Sequence, residues 1–247
     1  MIGFDPKTRQ PTDPRRPKPM SPLHRTITLT TLLHGALAMP NPQNTALPQT
    51  LFEMVGAVQP EPSWKNSVLI IIDVQKEYET GRLVLPGVKS ATRVIGRLLS
   101  DARTLGVPVI HVLHEGENGL FDPSEEGFKS IEALKPLKDE IVIRKSLPDS
   151  FAGTELQKIL SRVANGKKLV FTGFMTHMCI TATAVSALNL GYESFVIQDG
   201  VATRDLKGAD GKVISDQDMN ESALAALRDR IAWVISSSKL SGVSGNN

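Results

Sequence analysis

From residue 64 onward, hydrophobic residues follow two alternating patterns. Short continuous apolar runs, such as the one at 68–72, are typical of strands buried on both faces of a parallel sheet. Between these runs, as at 88–105, apolar residues recur at helical spacing. Strands that alternate with helices predict an α/β fold: a doubly wound, mostly parallel, Rossmann-like sheet with helices on both sides, which makes three layers.

The same patterns predict where each element begins and ends. We predict strands at 68–72, 107–113, 141–143, 168–172, 192–197 and 231–235. We predict helices at 88–105, 153–163, 179–190 and 220–230, with Gly191 at a position where glycine commonly ends a helix.

The first 64 residues have a different composition. They contain eleven of the 16 prolines. Because proline removes a backbone donor and restricts φ, this density predicts a disordered or loosely packed segment over 1–64, followed by one domain over 65–247. An apolar stretch at 26–37 offers a targeting leader as an alternative interpretation, and late starts at Met20 or Met39 are others.

Charge and composition exclude several classes of partner. The net charge of +2 comes from residues 1–64, because 65–247 carry 22 basic and 22 acidic residues. We therefore expect no nucleic-acid partner. No apolar run approaches the roughly 20 residues that span a bilayer, so we expect no membrane partner. A single cysteine suits a reducing compartment, and we expect a cytoplasmic location.

Reactive side chains follow three of the predicted strands. Asp73 follows the first strand, Lys145 the third and Cys179 the fourth. Each has an ordinary structural explanation, as a turn residue, a solvated lysine and a small buried side chain. Ligands in such sheets bind outside the carboxyl ends of the strands, so the convergence of all three favours a reactive site there.

Cys179 lies just inside the helix predicted at 179–190. The positive end of a helix dipole lowers the pKa of a thiol, so this position predicts a nucleophilic thiolate.

The histidines do not suggest a metal site. His111 and His114 are three apart in a strand, so their side chains point to opposite faces. We expect a substrate-contacting or structural role for His114, and expect His177 to shape the turn before Cys179.

Five segments together with Lys145 resemble the isochorismatase-like cysteine hydrolases, which include nicotinamidases and carbamoylsarcosine, maleamate and ureidoacrylate amidases. The segments are LIIIDVQ at 69–75, SFAGT at 150–154, TGFMTHMCI at 172–180, GY at 191–192 and DGVATRD at 199–205. The resemblance covers about residues 65–235 and implies the same fold as the hydrophobic pattern.

The resemblance implies an Asp–Lys–Cys catalytic triad of Asp73, Lys145 and Cys179. Cys179 would attack a small amide, carbamoyl or ureido group and form a thioester. Asp73 would move the proton, and Lys145 would hold the carboxylate and favour thiolate.

The resemblance also implies details around the triad. A cis peptide would join Phe174 to Met175, and the backbone N–H groups of Met175 and Cys179 would form an oxyanion hole. Three side chains would line the substrate pocket, namely Gln75, Tyr78 and Phe151. The family's tendency to form homo-oligomers extends to this chain as an expectation.

Departures from the family pattern bear on the substrate. The region from 81 to 107 contains no histidine where the metal-binding nicotinamidases carry ligands, so we expect no metal and doubt nicotinamide as substrate. No Gly-x-Gly-x-x-Gly follows the first strand, so we expect no dinucleotide cofactor. Two alternatives stay open: vinyl-ether hydrolysis of the isochorismatase type, and a non-catalytic effector that acts by binding.

Overall fold

The structure is a computed structural model that describes residues 47–117, 119–164 and 166–240. The predictions for residues 1–46 lie outside the described residues. The described residues from Pro48 onward belong to one compact unit.

A six-stranded parallel sheet forms the centre of this unit, which confirms the predicted fold class. Its strands in chain order are β1 (Ser67–Ile72), β2 (Val109–His114), β3 (Ile141–Lys145), β4 (Lys168–Phe174), β5 (Ser194–Ala202) and, after a hairpin of β6 (Leu206–Lys207) and β7 (Val213–Ile214), β8 (Trp233–Ile235). Their spatial order is β3-β2-β1-β4-β5-β8. The chain reverses direction across the sheet between β1 and β4, so this pair of strands forms the topological switch point.

Helices cover both faces of the sheet and complete the three layers. The covering helices are α2 (Val88–Thr104), α3 (Leu156–Val163), α4 (Thr181–Asn189) and α5 (Asp216–Arg230), and the single turn α1 (Leu51–Met54) contacts α5. Successive side chains of a strand point to opposite faces, so β1 contributes Leu69 and Ile71 to the core under α2. Val68, Ile70 and Ile72 enter the other core, which α3, α4 and α5 cover.

Strand β5 is longer than its hydrophobic run predicts. The run ends at residue 197, but the strand continues to Ala202 after a bulge, because the pairing shifts from Phe171–Val196 to Gly173–Val201. At the bulge, Thr172 Oγ1 donates to the Gly200 carbonyl at 2.6 Å. A side chain of β4 thus replaces one backbone hydrogen bond between the two strands, and β5 pairs again with the last residues of β4.

Within the described residues 48–64, Leu51 and Phe52 pack against the edge strand β8 and helix α5. The ring of Phe52 stacks on Trp233 with centroids 4.1 Å apart, and the Leu51 N–H donates to Asp229 Oδ1 at 2.8 Å. Most of the segment predicted over 1–64 lies outside the described residues, so the division into two parts at residue 64 stays a prediction.

Within the described ranges, no helix is long and apolar enough to cross a membrane.

Gly173 sets the spacing at the switch point. Its φ is +118°, and a Cβ there would lie 2.0 Å from the Ile72 carbonyl oxygen. Glycine is required here for two reasons: the backbone conformation and the close approach of β1.

We predict that Gly173→Ala lowers the free energy of unfolding by at least about 4 kcal/mol, because a backbone clash adds to the roughly 1–2 kcal/mol of a positive φ. Urea unfolding measures this. The matched control is Gly56→Ala, where φ is +65° and no atom lies within 4 Å of the added Cβ. Equal losses in the two variants would contradict the clash.

Candidate active site

Asp73 follows β1 directly and is completely buried. Its φ of +53° turns the chain at the strand end, and its N–H donates to the Val112 carbonyl of β2 at 2.8 Å. Its Oδ2 lies 2.7 Å from Lys145 Nζ. Its Oδ1 is buried and has no hydrogen-bond partner in the described part of the chain, so one carboxylate oxygen stays free to accept a proton.

Lys145 reaches this carboxylate from two strands away. It ends β3, and β3 lies about 10 Å from β1 because neighbouring strands are about 4.8 Å apart. A long side chain is therefore needed to cross the end of β2. Its Nζ donates to three acceptors: Asp73 Oδ2 at 2.7 Å, Cys179 Sγ at 3.3 Å and His114 Nδ1 at 3.2 Å. The three N–H bonds of the ammonium group are thus all used.

Cys179 approaches from the opposite side of β1. It lies in a π-helical turn, Thr176–Ile180, between β4 and α4, and is 3% exposed. The Met175 carbonyl accepts from both Met178 N–H and Ile180 N–H at the start of this turn. The peptide bond between Phe174 and Met175 is cis, as the resemblance implied. The structure therefore brings all three predicted triad residues together.

Burial dominates the electrostatics of the site. It raises the pKa of the Asp73 carboxyl, which Lys145 and the thiol of Cys179 oppose. Burial and the Asp73 carboxylate raise the pKa of Cys179 to about 12, despite the nearby ammonium group. The helix-end argument predicted a lowered pKa, and burial outweighs it. The resting site consequently holds a protonated thiol beside a base.

His114 is a neutral partner of Lys145. Burial and the ammonium charge lower its pKa to about 4. Because Lys145 Nζ can only donate, Nδ1 accepts and the imidazole proton lies on Nε2. The two strands pair His114 with Lys145 in register, which explains the contact.

Gln75, predicted to contact the substrate, has its side chain bonded to backbone groups instead. It is wholly buried, and its Nε2 donates to the His114 carbonyl at 2.9 Å and the Phe128 carbonyl at 2.8 Å. Its Oε1 accepts from the His114 N–H at 2.9 Å. The carboxamide is occupied by backbone groups and holds the end of β2 in place.

The two predicted aromatic contacts lie in different places. Tyr78 is buried against Phe174 and Phe121, with ring centroids 5.6 and 5.1 Å apart, and burial followed by the charge of Asp73 raises its pKa. Phe151 instead stacks on Tyr192, which follows the far end of α4. Tyr78 packs within the core and Phe151 against Tyr192, so substrate contact by either side chain stays a prediction.

Sequence reasoning missed Arg204, which follows the second half of β5. Burial is the main cause of the lowered pKa of His177, and the charge of Arg204 adds to it. The same charge opposes the rise that burial causes in the pKa of Tyr78, so Arg204 lies within electrostatic range of both. Its Nε is buried without a partner among the described residues. The motif at 199–205 contains Arg204, and the residue follows the part of β5 that resumes after the bulge.

The two strand histidines have separate partners. His111 Nε2 lies 2.9 Å from Glu140 Oε2, whereas His114 contacts Lys145. Across the residues that the structure describes, no group of three or more histidine, cysteine or acidic side chains could hold a metal ion.

A thiol, an ammonium group and a carboxylate meet at the carboxyl edge of a doubly wound parallel sheet, which is where ligands bind in α/β proteins of this class. The chain belongs to the isochorismatase family, because the family's "Isochorismatase domain" matches residues 67–239.

Similar proteins agree with this assignment. The chain is 34% identical over 186 residues to the secreted isochorismatase effector Isc1 of Verticillium dahliae, covering 74% of this chain and 95% of that protein. It is 33% identical over 172 residues to a streptothricin hydrolase of Streptomyces noursei, covering 68% of this chain and 58% of that protein. An isochorismatase structure from Pseudomonas putida KT2440 superposes with a TM-score of 0.75 at 38% identity, covering 79% of this chain and all of that chain.

More distant relatives, 27% and 24% identical, are named as amidohydrolases of maleamate and ureidoacrylate. The protein is therefore a hydrolase with amidohydrolase relatives.

We predict that iodoacetamide labels Cys179 slowly at neutral pH. Below a pKa of about 12 the thiolate fraction, and hence the labelling rate, rises about tenfold per pH unit. Asp73→Asn should speed labelling at neutral pH because it removes the carboxylate charge, and Lys145→Met should slow it. Mass spectrometry measures the rate at this single cysteine. A wild-type rate that levels off near neutrality would contradict the raised pKa.

Proposed function

We propose that the protein hydrolyses the C–N bond of a small amide, carbamoyl or ureido compound through a thioester on Cys179. The observation that carries this proposal is the position of Lys145 Nζ, 2.7 Å from Asp73 and 3.3 Å from Cys179. A thiol next to a buried base is the arrangement that nucleophilic catalysis requires.

The two raised pKa values support a coupled first step. Because the resting thiol is protonated, Asp73 accepts its proton as Sγ attacks the carbonyl carbon, and the carbonyl π electrons move to oxygen. Collapse of this intermediate breaks the C–N bond, and Asp73 gives the proton to the leaving nitrogen. Asp73 then takes a proton from water, whose oxygen attacks the thioester carbonyl. Collapse of this second intermediate breaks the C–S bond, the carboxylic product leaves, and Asp73 returns the proton to the Cys179 sulfur.

Lys145 acts throughout as a fixed positive charge. It opposes the rise that burial causes in the pKa of Asp73 and stabilises the developing thiolate. In this proposal the N–H groups of Met175 and Cys179 stabilise the oxyanion, as in the related family members. Tyr78 borders the pocket, and His114 orients Lys145.

Arg204 supports an acidic substrate. Its Nε is buried without a partner among the described residues, and a guanidinium N–H that lacks an acceptor is a favourable site for an anionic oxygen. We therefore propose a substrate with a carboxylate, or another anionic group, near the scissile amide.

A screen of small amides and ureides, with and without a carboxylate, tests the catalytic proposal. We expect turnover of some amides, an acyl adduct on Cys179 in mass spectra of quenched reactions, and a loss of at least about 10³-fold in kcat/KM for Cys179→Ala. Retention of full activity in Cys179→Ala would exclude the thioester.

Arg204→Met tests the substrate class. We expect KM for acidic substrates to rise roughly thirtyfold, the equivalent of about 2 kcal/mol for a charged hydrogen bond. Matched neutral amides should be unaffected. An equal rise in both series would show that Arg204 acts on the fold rather than on the anionic group.

Vinyl-ether hydrolysis is the second candidate, favoured by the names of Isc1 and the Pseudomonas putida structure. In that reaction Asp73 serves as the acid and Cys179 is not needed. Release of pyruvate from isochorismate that survives Cys179→Ala would establish it. An absence of turnover across both panels would favour the effector alternative.

The remaining expectations belong to the same proposal. We propose that the protein works without a cofactor on a small molecule, forms a homo-oligomer and acts in a reducing compartment such as the cytoplasm, where a single reactive thiol stays reduced. The name of Isc1 describes a secreted protein and supplies the competing location. Light scattering tests the oligomer, and fractionation of cells tests the location.

A further inference from the structure

The turn that carries Cys179 is tied to helix α5 by one buried hydroxyl group. Thr176 begins the turn and is completely buried, and its Oγ1 donates to Asn220 Oδ1 at 2.6 Å. The two residues are 44 positions apart, so only the tertiary fold brings them together.

A second hydrogen bond to Thr176 fixes the backbone of the same turn. The Thr176 carbonyl accepts from Thr181 Oγ1 at 2.7 Å, which joins the start of the turn to the start of α4. Cys179 lies between these two residues. A shift of Thr176 therefore moves the segment that sets the direction of Sγ toward Lys145 and Asp73.

Helix α5, which carries Asn220, is held in place near both of its ends. Ser215 caps it by accepting from the Asp218 N–H, and the Asp216 N–H donates to Asp205 Oδ1 at 2.7 Å. At its other end Leu227 is wholly buried in the core that also contains Cys179. Asn220 consequently presents its carboxamide oxygen from a position anchored at both ends of the helix.

We propose that Asn220 is a positioning residue for the nucleophile. By accepting from Thr176 it holds the turn in the one orientation that places Cys179 Sγ 3.3 Å from Lys145 Nζ. This role rests on the proposed thiol chemistry, and it concerns the chemical step rather than the binding of substrate.

Four single substitutions and one double variant test the role. Asn220→Ala and Thr176→Val each remove the hydrogen bond, and Thr176→Ser keeps the hydroxyl. Gln217→Ala is the matched control, because Gln217 lies on the same helix and its side chain bonds to the exposed Glu221 at 3.1 Å. The double variant Thr176→Val/Asn220→Ala removes both partners.

For a substrate found in the amide screen, we expect kcat to fall about tenfold in Asn220→Ala and Thr176→Val while KM stays within about twofold. Misaligned nucleophiles lose rate rather than affinity. Thr176→Ser and the control should retain kcat, and the double variant should be no slower than either single variant, because one shared bond is lost.

Labelling of Cys179 with iodoacetamide gives a readout that needs no substrate. Loss of the hydrogen bond in Asn220→Ala or Thr176→Val should loosen the turn and expose the thiol. Because burial is the largest cause of the raised pKa of Cys179, we expect labelling of these two variants to become several-fold faster. A thermal unfolding curve for each variant shows whether it is folded at the assay temperature. If Asn220→Ala does not fold, comparison of Thr176→Val with Thr176→Ser decides the question.

Wild-type labelling and kcat in folded Thr176→Val would overturn the positioning role. A rise in KM without a fall in kcat, or additive losses in the double variant, would also overturn it. A protein without amide turnover would contradict the proposed function, yet faster labelling in these variants would still support the positioning of the thiol.

Discussion

The buried ion pair between Lys145 and Asp73 is the constraint on which the rest of the site depends. Both side chains are completely buried, and an ion removed from water loses several kcal/mol of hydration unless excellent geometry offsets the loss. Lys145 meets this condition through its bonds to a carboxylate, an imidazole and a sulfur atom. The thiol is thus part of what makes the buried charge tolerable, and the same contact makes it a candidate nucleophile.

The sheet supplies the geometry that this ion pair needs. Parallel register sets the ends of β1, β2 and β3 side by side, and a lysine is long enough to cross the middle strand. On the other side of β1, Gly173 allows β4 to approach closely, and the bulge in β5 returns that strand to the same edge. The turn at Thr176 then brings Cys179 back over Asp73, with α5 supporting it from outside.

Hydrophobic patterning was sufficient to predict the fold class and six strands, because burial on both faces demands continuous apolar runs. It ended β5 too early, since Gln198, Asp199 and Gly200 interrupt the run and a bulge leaves no apolar signature. It also missed the short hairpin of β6 and β7, whose Val213 and Ile214 are exposed. The meeting of Asp73, Lys145 and Cys179 was predictable because each lies at or beyond the carboxyl end of a strand, whereas the contacts of Gln75 and Phe151 depend on where their side chains point.

The sequence by itself determined the alternation of strands and helices, the polar residues at the strand ends and the single thiol. These follow from local chemistry, because hydrophobic period and residue type act at each position separately. Only the tertiary structure decided that burial raises the pKa of the thiol, that His114 accepts a hydrogen bond from Lys145 and that Asn220 accepts one from Thr176. Each of these depends on burial or on a contact between distant parts of the chain, and neither quantity exists until the chain has folded.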